Sequence, residues 1–246
     1  MTAVRIDIRH KSFSSATAAD KALITDFQLS LAANEFVCLA GPSGCGKTTL
    51  LNLIAGLDQQ FTGEILTGAD GRPAKTGYVF QEPRLLPWRT VRQNLELAAE
   101  HEPDYTETID KLLAAMQLSD AAAQYPSQLS LGMSRRAAII RAFAVNPDLL
   151  LMDEPFVSLD APSARQARAL LQELWQQRPH TVLFVTHDLR EAITLADRLV
   201  FLAPSPMRIA GEVNVSIPRN LRHDETEIEA FRQTLIVENP NLKPYL

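Results

Sequence analysis

Cysteine is scarce in this chain: only two occur among 246 residues, Cys38 in a buried-looking apolar stretch and Cys45 in a glycine-rich loop. Two such thiols exclude a disulfide-stapled scaffold and read as reduced cysteines of a cytosolic protein. No apolar run approaches the ~20 residues that a membrane-spanning helix needs, so any role at a membrane works through a partner. Positive charge is not in excess. With 24 Lys and Arg against 29 Asp and Glu, the formal net charge is −5 and the pI is near 5.6. That argues against a general nucleic-acid binder, which shows a basic face, while leaving room for a local basic patch. A signal peptide is not expected either, because Met1–His10 alternates polar and apolar residues as a strand does. Low-complexity segments and short repeats do not stand out. What is present is apolar residue, 46% of the chain, enough for one sizeable α/β core with a small subdomain.

The stretch Gly41-Pro42-Ser43-Gly44-Cys45-Gly46-Lys47-Thr48 has the spacing of a phosphate-binding loop, Gly, four residues, Gly-Lys-Thr. An apolar run, Glu35–Ala40, precedes it, and a good helix former, Thr49–Leu57, follows. Strand, glycine loop and helix let backbone N–H groups and the helix N-terminus surround phosphate oxygens. Lys47 then supplies a point charge for the β- and γ-phosphates, and the Thr48 hydroxyl is placed to ligate magnesium. The plain alternative is a glycine-rich turn with a chance lysine.

The opening segments, Val4–Arg9 and Phe27–Leu31, alternate at period two and predict an antiparallel β-region, joined by a polar, alanine-rich loop over Ser14–Lys21. Phe61–Leu66 and Gly77–Gln81 predict turn and strand. From about Thr90 to Tyr125 the pattern turns helical, with Val91, Leu95 and Ala98 on one face and Ile109, Leu112, Leu113 and Met116 on another. A further helix is expected from Ser130 to about Val145. This mostly helical insertion, about 82–147, reads as a subdomain built on the nucleotide core. Asp148–Asp153 and Thr181–Thr186 are continuous apolar strands of the kind found in parallel sheets covered on both faces. An amphipathic helix over Ser163–Gln177, a helix over Asp188–Ala196 and a strand at Leu199–Leu202 complete right-handed βαβ units. In the tail, about 204–246, Pro204-Ser205-Pro206 marks a turn, Glu212–Ile217 a strand and Asp224–Val237 a charged, solvated helix.

Three further groups carry chemistry. The strand Leu149–Met152 delivers Asp153 and Glu154 at its C-terminal end, where open α/β sheets bind ligands. Asp153 is the candidate magnesium partner through a water, and Glu154 the candidate general base for the water attacking the γ-phosphate. The alternative for the pair is a solvated turn, which the phosphate-loop spacing upstream disfavours. His187, after a second buried strand, is placed to contact the γ-phosphate, the alternative being a helix N-terminal or core histidine. Gln81, at the end of its own strand, is placed to reach the magnesium or the attacking water.

In this order and spacing the motifs resemble the ATP-binding subunit of an ABC transporter over nearly the whole chain. Walker A matches Gly41–Thr48, with Thr49 adjoining. The Q-loop matches Gln81, Walker B and the catalytic glutamate match Asp153 and Glu154, the D-loop matches Ser158-Leu159-Asp160, and the switch histidine matches His187. Phe13 matches the aromatic that stacks on adenine, with a core phenylalanine as the competing reading. The signature motif reads Leu129-Ser130-Leu131-Gly132-Met133, keeping Ser130 and Gly132 but placing Leu131 where the family has glycine. There a helix N-terminus, with Ser130 as N-cap, faces an anion, and the Leu131 side chain is expected to turn away.

The resemblance implies one ABC ATPase domain over 1–246, with ATP and Mg2+ as ligands and a mostly parallel P-loop core beside an N-terminal antiparallel β-region. It implies a head-to-tail homodimer enclosing two ATP molecules, and no nucleic-acid partner. It further implies an integral membrane permease docking near Gln81–Trp88, with an extracellular or periplasmic solute-binding protein serving it indirectly. The expected location is peripheral, on the cytoplasmic face of the membrane. The stretches Gln81–Trp88, Thr90–Leu95 and Ile217–Arg219 resemble the nitrate/sulfonate/taurine importer branch, so the solute is expected to be a small molecule of that kind. A soluble ABC-class ATPase uncoupled from transport, a P-loop kinase or GTPase and a non-catalytic regulator are the alternatives. The last two are disfavoured by the Q-loop, signature, D-loop and His187, and by intact Lys47, Asp153 and Glu154.

Overall fold

The computed structural model describes residues 2–15, 18–68 and 72–245. The chain divides into two compact units, Met1–Pro73 with Thr181–Leu246, and Ala74–His180.

The first unit holds two sheets. In one, β1 (Thr2–Ser15), β2 (Ala18–Ala32) and β4 (Thr62–Leu66) run in the order β2-β1-β4, all antiparallel. Val4, Ile6 and Ile8 pair with Leu31, Leu29 and Phe27, and all six are buried. Period-two alternation thus puts one apolar face inward. The expected loop over Ser14–Lys21 is corrected: β1 runs to Ser15 and β2 starts at Ala18, with Phe13 opposite Lys21 and Ser15 opposite Ala18. Once the apolar pairs fix the register, each added pair satisfies backbone N–H and C=O groups, and this overrides the weak strand preference of the sequence. The part of that expected loop at residues 16–17 lies outside the described residues.

The other sheet of this unit is mostly parallel. It contains β3 (Phe36–Ala40), β7 (Thr181–Val185), β8 (Arg198–Ala203) and β9 (Arg208–Asn214) in the order β7-β3-β8-β9, with only β9 antiparallel. Every residue of β3 and β7 is buried, as expected of strands covered on both faces. The tail strand lies earlier than expected. It begins just after the turn because Ala203 pairs with Arg208 and Arg198 with Asn214, so the hairpin register sets its limits; Val215 and Ile217 are buried beyond its end. Helices α1 (Lys47–Ile54), α6 (Leu189–Leu195) and α7 (Glu225–Glu238) belong to this unit. The tail helix α7 is not wholly solvated, since Ile228 and Leu235 are buried.

In the second unit, β5 (Thr76–Val79) and β6 (Leu149–Asp153) form a parallel pair. A Cβ at Gly77 would lie 2.4 Å from the Ala142 carbonyl oxygen, so only glycine lets this strand approach its covering helix so closely. The helices are α2 (Val91–Ala99), α3 (Tyr105–Ala115), α4 (Leu131–Ala144) and α5 (Ala161–Gln177). A capping box between Thr90 and Gln93 starts α2, which buries Val91 and Leu95, with Ala99 rather than Ala98 completing that face. Ile109, Leu112, Leu113 and Met116 are buried as their spacing predicts. Each strand and helix that ends at a candidate site residue is therefore anchored in a core, where a Leu→Ala truncation costs about 2–5 kcal/mol.

Candidate active site

In the first unit, β3 ends at Ala40 and the chain enters the glycine loop. A Cβ at Gly41 would meet the Leu202 carbonyl oxygen at 2.9 Å. Gly46, at φ +103, has Met207 Cε 2.9 Å from where its Cβ would be, so the tight turn into α1 is reserved for glycine. That glycine is the N-cap of α1, and among the described residues no side chain caps the helix. By contrast α2, α4, α5, α6 and α7 are capped by Thr90, Ser130, Asp160, Asp188 and Asp224. The free N–H groups of the first turn of α1 thus have no side-chain oxygen to satisfy them. Lys47 is buried beside them. Its Nζ donates to the carbonyls of Gly41 at 2.7 Å and Pro42 at 3.1 Å and lies 3.9 Å from Cys45 Sγ. The partners of this buried cation are neutral carbonyls and a thiol rather than a carboxylate, which leaves it short of negative charge. An uncapped helix N-terminus and a lysine of this kind fit a bound polyphosphate. Ser43, Gly44 and Thr48 are exposed, and Pro42 and Thr49 are half-buried. Burial pushes the Cys45 thiol up, against the pull of the Lys47 charge, and pushes Cys38 up as well. Neither thiol is therefore poised to ionise.

His187 comes to the same place. It is exposed just past β7 and lines a depression of about 220 Å³ with Ala40, Gly41, Pro42 and Ser43. The turn that presents it is fixed. Thr186 Oγ1 donates to Glu191 Oε2 at 2.8 Å and accepts from Asp188 N at 3.1 Å, while Asp188 caps α6 through Arg190 N at 2.8 Å. Leu189, Pro244 and Tyr245 line the same depression. The last two escape sequence reasoning, since a tail residue near a phosphate loop leaves no local pattern. Phe13, on β1, is 55% exposed, which overturns the reading of it as a core residue. Lys11 Nζ lies 4.9 Å from its ring centroid and is itself held by Asp58 at 2.7 Å and the Gln60 carbonyl at 2.9 Å.

In the second unit, β6 carries Asp153, which is buried, and then Glu154, which is half-buried. Glu154 has φ +46, a left-handed backbone rare for glutamate and typical of strained functional positions. Gln81 lies beyond the end of β5, and its Nε2 donates to Glu154 Oε2 at 3.4 Å. Nearby, burial and the Asp153 charge together push Tyr78 up. Two arginines missed by sequence reasoning meet this segment from α4. Arg135 donates to the Gln81 carbonyl, and Arg141 to those of Pro83 and Arg84.

The signature and D-loop residues meet in the same unit. Ser130 has extended backbone and caps α4 by accepting from Met133 N at 3.2 Å. Ser130, Leu131 and Gly132 line a depression of about 260 Å³ with Ser158, Leu159 and Asp160. Ser158 is left-handed at φ +64. Asp160 starts α5, accepting from Ser163 N at 3.0 Å and Ser163 Oγ at 2.7 Å. The Ser163 hydroxyl and backbone N–H hold its carboxyl below the usual range. Leu131 is 48% exposed at the rim.

The family profile described as ABC transporter matches residues 24–157. The chain belongs to the ABC transporter family. This ABC ATPase is 40% identical to a Burkholderia lata protein named aliphatic sulfonates import ATP-binding protein SsuB 2, over 88% of this chain and 81% of that one. It is 36% identical to the Bacillus subtilis protein named aliphatic sulfonates import ATP-binding protein SsuB, over 96% of this chain and 94% of that one. Its fold is similar to the dimeric ATP-binding cassette MJ0796 in a post-hydrolysis state bound to ADP and Pi, with TM-score 0.76 and 28% identity, covering 87% of this chain and 100% of that one. The ABC ATPase is thus an ATP-hydrolysing transport subunit. Among the described residues none of its helices is long and apolar enough to cross a membrane.

Proposed function

We propose that this ABC ATPase powers import of an aliphatic sulfonate or a related small solute through a membrane permease, working as a homodimer on the cytoplasmic face. The observation that carries its enzymatic part is Lys47, a buried cation that has no carboxylate partner among the described residues and stands beside a helix N-terminus that none of their side chains caps. On this reading the loop Gly41–Thr48, with Thr49, binds the phosphates of ATP, and Lys47 neutralises the β- and γ-oxygens. Phe13, exposed on β1, stacks on the adenine. Magnesium keeps most of its waters and takes one or two protein oxygens plus phosphate, so the oxygen donors Thr48, Gln81 and Asp153 suit it. It would supply charge neutralisation between phosphoryl oxygens. Glu154, oriented by Gln81, accepts the proton of the attacking water. His187, at the rim of the phosphate loop, contacts the γ-phosphate. Ser130, Gly132 and Asp160 face the nucleotide of the second copy, consistent with the dimeric state of the similar cassette. Closure on ATP and reopening after hydrolysis then bias the permease between two states. The solute class rests on the names of the SsuB relatives, and a solute-binding protein outside the cell is the expected donor.

Two experiments test this. Glu154→Gln is expected to keep ATP binding, trap an ATP-dependent dimer on a sizing column and lower hydrolysis by about a hundredfold or more; undiminished turnover would remove Glu154 from its role. Disrupting the gene is expected to stop growth on an aliphatic sulfonate as sole sulfur source, and unaltered growth would overturn the solute class.

A further inference from the structure

The segment after β5 is held from one side by α4. Arg135 Nη1 donates to the Gln81 carbonyl at 2.6 Å. Six residues on, Arg141 Nη1 donates to the Arg84 carbonyl at 2.6 Å and Nη2 to the Pro83 carbonyl at 2.9 Å. Arg84 itself sits at φ +47, a backbone that arginine seldom adopts unless its surroundings impose it. The conformation of this segment is therefore set by its clamps rather than by its own preferences.

Arg135 is the informative clamp. It is 7% exposed, and its Nε is buried with no hydrogen-bond partner among the described residues. A buried guanidinium with an unsatisfied N–H is costly, and an apolar side chain of similar volume would serve the core better. The compensation visible at this place is twofold: the charge-assisted bond to the Gln81 carbonyl and the favourable field of the Glu154 carboxylate, which opposes the lowering of the guanidinium by burial. Gln81 turns that grip toward the reaction. The same residue whose carbonyl Arg135 holds donates through its side chain to Glu154 at 3.4 Å. That distance is near the outer limit of a hydrogen bond, so a shift of a few tenths of an ångström in the Gln81 backbone decides whether Glu154 is held.

We infer that Arg135 is a positioning residue that acts through Gln81: it fixes the Gln81 backbone so that the Gln81 amide orients Glu154, and so ties the Ser130 end of α4 to the carboxylate in its own subunit. The inference rests on the reading of Glu154 as general base. Ser130 caps the helix that carries Arg135 little more than one turn later. α4 is one continuous helix with Ala137–Ile140 buried, so a displacement at its capped end is carried to Arg135. When a second copy's nucleotide meets Ser130, α4 reports it to Gln81 and thence to Glu154.

The test is a double-mutant cycle of Arg135→Gln and Gln81→Ala, reading steady-state hydrolysis and, separately, binding of a fluorescent ATP analogue. Arg135→Gln is expected to lower kcat about tenfold while leaving nucleotide affinity within about twofold. In the Gln81→Ala background the same substitution is expected to change kcat by less than about twofold, because the group it acts through is already gone. Arg135→Lys keeps the charge and one donor and is expected to recover most of the lost rate. Equal losses in both backgrounds, or a wild-type kcat in Arg135→Gln, would overturn the inference. If Arg135→Gln does not fold, Arg135→Lys enters the same cycle, and its partial loss must likewise vanish beside Gln81→Ala. Glu154→Gln, measured alongside, keeps the two claims apart. Wild-type turnover there sinks the assignment of Glu154, whereas an inactive Glu154→Gln with an additive cycle sinks only the role of Arg135.

Discussion

Helices α1 and α4 begin in opposite ways. At α1 the N-cap is Gly46 in a left-handed conformation, no side chain closes the first turn, and the buried Lys47 cation stands beside it. At α4 the N-cap is Ser130 in an extended conformation, and its hydroxyl already accepts from Met133 N. Both ends direct N–H groups outward. The first leaves all of them without a side-chain partner among the described residues and adds a positive charge, which suits an anion held firmly. The second satisfies one of its own donors and is stable when empty, which suits an anion presented from outside and released again. On the proposed reading, one fold carries a permanent phosphate grip and a reversible one.

The comparison can be broken hardest at Lys47. Lys47→Ala is expected to weaken ATP binding about a hundredfold or more, by titration calorimetry, because charge-assisted contacts in a buried site are the strong ones. A loss of only a few fold would mean that the helix N-terminus, not the cation, holds the phosphates. At the other helix, Ser130→Ala is expected to lower protein stability by about 1 kcal/mol through the lost cap. It should also reduce hydrolysis at high protein concentration, where dimers form, more than it reduces nucleotide binding by the single chain. If binding fell as much as hydrolysis, the two helix ends would not differ as described. The smallest effect is expected at Leu131. Being half-exposed at the rim rather than packed across it, Leu131→Gly should alter hydrolysis and ATP-induced dimerisation only a few fold. A large rise in either would show that this side chain obstructs the α4 grip.

Much of this was readable from the chain itself. The loop Gly41–Thr48 and His187 follow an apolar strand, the pair Asp153–Glu154 closes another, and contiguous residues at a strand end leave a local pattern. Ser130 as the cap of α4 was legible for the same reason, and its bond to Met133 N follows. Other features left no such trace. The ladder of β1 and β2 extends through a stretch whose composition suggests a loop, because pairing decides there rather than propensity. The limits of β9 come from its register with β8. The bond from Arg135 to Gln81 spans 54 positions and ends on a backbone carbonyl, which every residue type carries, so no choice of side chain at position 81 advertises it. Pro244 and Tyr245 reach the rim beside His187 only through the path of the tail.

The backbone at Glu154 restricts what this position can become. Residues comfortable at φ +46 are glycine, asparagine and aspartate. Each is shorter than glutamate, and none places a carboxylate at the same reach. Side chains branched at Cβ would be pushed out of that geometry altogether. On the proposed role of Glu154, drift at this site therefore has almost nowhere to go: the length the chemistry wants and the shape the chain tolerates coincide only in a residue held there under strain.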